Sequence, residues 1–133
     1  MWGKVLFLTQ MADRPPESVT LPQVFFRWLE TVRRFPMFNL WRGGTLCSIK
    51  LTHILDLSAS ERNIFAHRSR LMGIFPDSFL PLGYDAFGNL LLWDIVSDSV
   101  YLHWRGTPAD RYVIVAPSLE ELCEKLYYRP IHG

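Results

Sequence analysis

The sequence predicts an α+β fold in which a meander of antiparallel strands is accompanied by amphipathic helices. Three observations predict it. The stretch from Phe79 to Trp104 divides into three short apolar runs joined by two tight turns. Helical periodicity follows capping signals at Thr20 and at Ser118. A β-branched run from Arg111 to Ala116 leads directly into the second of those caps. Strands bounded by turn residues, with helices segregated towards the ends, are the pattern of an α+β domain.

In the meander, the first strand ends near Leu82, the second spans Asn89 to Ile95 and the third Ser99 to Trp104. The first turn carries Gly83, Asp85, Gly88 and Asn89, which tolerate positive φ or bond their own backbone, and the second carries Ser97, Asp98 and Ser99. On the middle strand Leu90, Leu92 and Asp94 alternate with Asn89, Leu91, Trp93 and Ile95. Both faces are largely apolar, the mark of a sheet covered on more than one side. On the third strand Val100, Leu102 and Trp104 share one face, with Tyr101 and His103 on the other.

Val5 to Leu8 reads as a first strand, which the segment Asp13-Arg14-Pro15-Pro16 then breaks. Thr20 with Gln23 forms a capping box, Pro22 falls in the first turn, and Phe25, Trp28, Leu29 and Val32 recur at i, i+3, i+4 and i+7. Pro36 stops that helix. The segment on to Trp41 is aromatic but irregular, and Arg42-Gly43-Gly44 signals a turn. Thr45 to Leu51 alternates as a strand, and Ser58 with Glu61 repeats the capping box before Ile64, Phe65, Arg68, Leu71 and Met72, with Gly73 as the stop. A loop at Gly106-Thr107-Pro108 precedes the Arg111 to Ala116 strand. Ser118-Leu119-Glu120-Glu121 then opens a last helix, with Leu119, Leu122, Cys123 and Leu126 as its buried stripe.

At 133 residues the chain has single-domain length, 1–133, and can bury one sizeable core. Hydrophobic residues at 49% against 20% charged exclude a disordered composition. A formal net charge of +1 argues against a surface that baits nucleic acid as a whole. Cys47 and Cys123 have neither zinc-ligand nor redox-pair spacing and read as buried free thiols, which points to a reducing cytoplasm. The opening apolar run is too short for a signal peptide and no run reaches the eighteen or so residues of a membrane span, so the expected location is soluble and cytoplasmic.

No constellation of catalytic or metal-ligating residues stands out, and the chain reads as non-enzymatic with no cofactor. Cys47 or Cys123 would need His53, His67 or His103 to make a thiol nucleophile, and no local motif supports that. His53, His67, His103 and His132 share no metal-ligand spacing. Arg27 and Arg34, with Arg33 and Arg42 nearby, could touch phosphates, but a solvated face with the Arg27 and Glu30 pair is the commoner explanation. Trp93, Tyr101, His103, Trp104 and Arg105 lie on adjacent strands, and aromatic and Arg side chains are what protein interfaces use as anchors. Trp104 reads first as core; for Trp93 alternation leaves the inner face open. Asp85 and Asp94 could present an acidic surface or brace their turns, bracing being the stronger reading for Asp85.

The order of these pieces resembles the SUKH superfamily. The residues that carry the resemblance are Leu21-Pro22 with Phe26 and Leu29, Gly43-Gly44, Leu80-Pro81-Leu82-Gly83 with Asp85, Gly88-Asn89, Asp94, Val100-Tyr101 with Trp104, and Ala116 through Leu122, including Ser118 and Glu121. They span about 20–127. Trp41-Arg42 stands before the Gly-Gly turn where the superfamily often has Asn, and Ala86-Phe87-Gly88 with Leu92-Trp93 also resembles GAD-like immunity-associated domains. The resemblance implies one strongly bent antiparallel sheet with helices packed on one side. It also implies a binder rather than a catalyst: an immunity protein that occludes the active site of a cognate secreted toxin, a nuclease or another nucleic-acid-modifying enzyme. On this reading Asp85, Trp93, Asp94, Tyr101, His103 and Arg105 contact the partner. The chain would be a monomer or homodimer, with no direct contact to nucleic acid or membrane. The alternative is a regulatory scaffold of eukaryotic or viral origin that binds host signalling proteins. The 11 Arg against 3 Lys suggest a GC-rich genome, which suits bacteria and large DNA viruses alike.

Overall fold

The computed structural model describes residues 21–105 and 111–129, without the side chains of Arg42 and Arg111. The elements run α1 (Gln23–Arg34), β1 (Met37–Arg42), β2 (Thr45–Ile54), α2 (Ile64–Arg70), β3 (Phe79–Asp85), β4 (Leu90–Asp94), β5 (Val100–Trp104), β6 (Arg111–Ala116) and α3 (Leu119–Lys125). The six strands make one open antiparallel sheet in the order β1-β2-β3-β4-β5-β6, each paired with its neighbour in sequence. The fold is α+β, as the sequence predicts. The Val5 to Leu8 strand, the Thr20 cap and the Gly106-Thr107-Pro108 loop lie outside the described residues.

Helix α1 buries Phe25, Trp28, Leu29 and Val32, the stripe read from its periodicity. Pro22 occupies the N-cap position rather than the first turn, and no side chain caps this end. A twelve-residue helix is marginal by itself, so it is held by what its apolar stripe buries, about 1.5–3 kcal/mol for each large side chain. That stripe meets Leu80, Leu91, Trp93, Val100 and Leu102 in the main core. The Phe25 and Trp93 rings stack at 6.0 Å.

The segment from Met37 onwards is regular where the sequence reading expected irregularity. It forms β1, joined to β2 by a two-residue turn whose Gly43 and Gly44 take φ of 57° and 83°. Both values are positive, as this kind of hairpin turn requires. Aromatic bulk hid the strand, since Phe38 and Leu40 point into the core while Asn39 and Trp41 are exposed. Strand β2 then serves two partners: Thr45 to Lys50 pair with β1, and Leu51 to Ile54 pair with β3. Past α3, Tyr127 returns to β1, exchanging backbone hydrogen bonds with Met37 at 2.9 and 3.0 Å.

Strand β3 runs three residues beyond the expected end near Leu82. A bulge between Pro81 and Gly83 lets Gly83 pair with both Ile54 and Leu91, so Gly83 belongs to the strand and not to the turn. A Cβ at Gly83 would lie 2.6 Å from the His53 backbone oxygen, so only glycine fits this crossing.

The N-cap of helix α2, Asn63, lies five residues beyond Ser58. The Ser58 amide and hydroxyl both donate to Asp56, while Asn63 caps the helix by accepting from Phe65 and Ala66 amides at 3.0 Å. The helix closes at Arg70, with Leu71 as its C-cap, so Met72 lies beyond it. Helices α1 and α3 share the face that holds Trp93. Leu92, Pro81 and Phe79 lie on the opposite face by strand alternation, and Arg68, Leu71 and Phe75 from α2 and the segment after it line a hollow with them. Helix α2 therefore covers the face opposite α1 and α3, which corrects the one-sided helix packing that the resemblance implies, although its Ile64 still reaches the main core. Two-sided cover is what the apolar β4 pattern requires: Leu90 and Leu92 are buried away from the main cluster and need a lid of their own.

Candidate functional site

Strand β5 sends Val100 and Leu102 into the core and turns Tyr101 and His103 to the α2 face. Register brings β6 alongside, with Tyr101 opposite Ile114 and His103 opposite Tyr112. Phe79 of β3 and Phe75 of the segment after α2 complete an aromatic surface. Phe79 stacks on Tyr101 at 5.5 Å, and Phe75 meets His103 edge-on at 5.1 Å. Tyr112 contacts Phe75, Phe79 and His103 at 5.9, 5.7 and 5.4 Å. Ring pairs of this kind fix each other's orientation, each worth about 0.5–1.5 kcal/mol beyond area burial.

The surface is half-open. Tyr112 is 37% and Ile114 56% exposed, while Phe75, Phe79, Tyr101 and His103 are intermediate. It also ends on β6, the last strand of the sheet order among the described residues. Strand edges carry unpaired amides and carbonyls that a second strand can satisfy.

The six residues expected to contact a partner do not form one surface. Tyr101 and His103 belong to the aromatic face. Trp93 is buried at 1%, facing α1, with its indole N–H donating to Asp98 Oδ1 at 2.9 Å. Its burial corrects the anchor reading: the indole fills the core. Asp85 is buried at 6% and braces the β3–β4 turn, Oδ1 accepting from the Phe87 and Asn89 amides and Oδ2 from the Asn89 side chain. Both carboxylate oxygens are engaged with the turn. Arg105 stands at the same end, its amide donating to Asn89 and its guanidinium lying over Gly88, whose φ is 82°. Trp104 is partly buried and packs against the main core, as its face predicted.

Asp94 sits at the far end of β4 and braces the other turn. It accepts from the Val96 amide at 3.0 Å and the Ser97 amide at 3.5 Å. Burial alone would raise its carboxyl, but those amides with the Ser78 and Ser97 hydroxyls outweigh it and hold the pKa below the ordinary 3.8. Bracing therefore applies to both acidic residues. The other predicted motif residues are structural: Leu21 and Pro22 are buried at the start of α1, Pro81 and Asn89 are buried in the sheet, and Ser118 caps α3 by accepting from the Glu121 amide at 3.1 Å.

Phe75, Phe79, Tyr112 and Ile114 were missed. Tyr112 and Ile114 alternate along β6 in the same period as Tyr101 and His103, and that shared period is the signal that could have joined them. Phe75 comes from an irregular segment and carries no such signal.

The charged helix face is engaged within the protein. Arg27 pairs with Glu120 of α3 at 3.8 Å and Arg33 with Asp56 at 4.0 Å. Cys123 is buried, and burial pushes its thiol up to about 11, so it holds almost no thiolate at neutral pH. Cys47 is only half-buried. Among the described residues no three His, Cys, Asp or Glu side chains group as metal ligands, and no helix is long and apolar enough to cross a membrane.

No protein-family model, curated protein or solved structure matches this chain.

Proposed function

We propose that this chain is a non-enzymatic protein-binding module, an immunity protein of SUKH type that neutralises a cognate toxin by covering its active site. One observation carries the reading: the half-exposed aromatic face of Phe75, Phe79, Tyr101, His103, Tyr112 and Ile114 at the β5–β6 end of the sheet. Its rings are already ordered by one another, so seating a partner costs little side-chain entropy. Buried aromatic anchors dominate interface energies, and the adjacent strand edge adds main-chain hydrogen bonds. Two of the residues first read as partner contacts, Tyr101 and His103, lie inside this face. Asp85, Trp93, Asp94 and Arg105 lie elsewhere and act on the scaffold.

A tagged pull-down from the native host, identified by mass spectrometry and sized by light scattering, tests this. The expected result is a stoichiometric complex with a neighbour-encoded nucleic-acid-modifying enzyme whose activity falls on binding. Ile114→Asp should weaken the complex by about 2 kcal/mol, roughly thirtyfold in Kd, with the melting temperature little changed, whereas Tyr112→Ala should weaken it similarly and also lower the melting temperature through its lost ring contacts. Full inhibition by both variants would remove the aromatic face from the interface. Capture of a signalling protein with no toxin would favour the scaffold alternative.

A further inference from the structure

A second concavity lies where α2 and the segment before it meet β2 and β3. It holds about 290 Å³ and is lined by His53 of β2, Glu61 and Arg62 before α2, His67 and Arg70 of α2, and Tyr84 of β3. Small-molecule clefts begin at about 300 Å³, so this one has room for a compact ligand and not for a dinucleotide. Two guanidiniums stand against one carboxylate among its lining residues. Arg62 and Arg70 are both exposed, and the ion pairs formed among the described residues, Arg27 with Glu120 and Arg33 with Asp56, engage neither.

The inner wall is an ordered set of polar groups. His67 Nε2 lies 2.8 Å from the Glu61 carbonyl oxygen, which can only accept, so Nε2 carries the proton. In the neutral ring Nδ1 is then the acceptor, and the Tyr84 hydroxyl, 3.2 Å away, donates to it. Burial pushes the Tyr84 phenol up, against the opposing pull of the Arg70 charge, so the hydroxyl stays a donor at neutral pH. His53 Nδ1 is paired with the Thr52 hydroxyl at 3.0 Å.

We propose that this cleft binds the phosphoryl group of a small phosphate ester. Arg62 and Arg70 supply forked guanidinium donors, which match phosphate oxygens better than a point charge does. His67 and Tyr84, hydrogen-bonded to each other, form the ordered polar wall behind them. A metal cation is disfavoured by the two guanidiniums and by the commitment of His67 Nε2 to a carbonyl.

The test is an NMR titration of the intact protein with inorganic phosphate and with glycerol 3-phosphate, following the His53 and His67 imidazole and Tyr84 ring signals. Glycerol, and sodium chloride at matched ionic strength, are the controls. Saturable shifts at these three residues are expected with both phosphates, and the ester should bind the more tightly. Arg62→Gln and Arg70→Gln should each weaken binding about tenfold or more, the loss of one charge-assisted contact. Both positions are exposed, so an unchanged melting temperature confirms that the variants fold. Shifts that do not saturate, that chloride reproduces, or that survive in the double variant would overturn the proposal.

Discussion

Asp98 offers the sharpest test of how the sheet is tied to its helices. It has a φ of 68° in the β4–β5 turn, and its Oδ1 accepts both the Trp93 indole N–H at 2.9 Å and the Leu119 amide at 3.3 Å. One carboxylate thus joins the turn, the core and the start of α3. Asp98→Ala loses the charge-assisted bond to the indole, about 1.5–3 kcal/mol. It also loses a bond to the first turn of α3, about 1 kcal/mol, and places Ala in left-handed backbone at about 1 kcal/mol more. The sum is about 4 kcal/mol, a large share of the roughly 5–15 kcal/mol that holds a typical domain together. Asp98→Gly keeps the backbone relaxed and should cost about 3 kcal/mol. Asp98→Asn retains an acceptor oxygen and tolerance of positive φ, and should cost about 1 kcal/mol. Urea unfolding followed by circular dichroism measures all three. The order Ala, Gly, Asn from worst to mildest is expected. A cost below about 1 kcal/mol for the Ala variant, or equal costs for Asn and Ala, would refute the bridging role.

Two further outcomes are open to measurement. The folded-state pKa of Asp94 is held below its ordinary 3.8, so its contribution is complete above that value and is lost as pH falls through the depressed folded one. Acid titration of stability should therefore show a loss below about pH 4 that is smaller in Asp94→Asn, and identical acid limbs would contradict it. Gly83→Ala must part β2 from β3, because its Cβ meets backbone at 2.6 Å, and should cost about 3 kcal/mol. Gly73→Ala, where a Cβ would meet nothing within 4 Å and only φ of 85° is strained, should cost about 1 kcal/mol, and equal costs in the two melts would remove the steric argument.

Much of the scaffold was legible because its signals are local. Four apolar residues at helical spacing place α1, Ser118 places the start of α3, and the turn residues divide β4 from β5. The site was less legible because its members come from four separate segments and meet only through register. Trp93 shows the difficulty: alternation sorts residues into two faces, yet which face a helix covers depends on where Phe25 lands. Asp98 was read only as a turn residue, since its acceptor role depends on Leu119, brought close by the fold. The Ser58 signal misled for a related reason. The motif was satisfied by a turn with Asp56, and Asn63 was left to start α2.

The strand order gives the molecule a direction in time as well as in space. Among the described residues every strand pairs with the next one along the chain, so four of the five pairings can grow as hairpins across short loops at small entropic cost, while β2 and β3 meet across the segment that holds α2. The bridge from Met37 to Tyr127 is different in kind, for it joins the start of β1 to the segment after α3. It can form only when α3 is docked. The tail is then a latch that records the completion of everything between: it bridges to β1 at Met37 once the sheet exists, while β6 ends the strand order among the described residues.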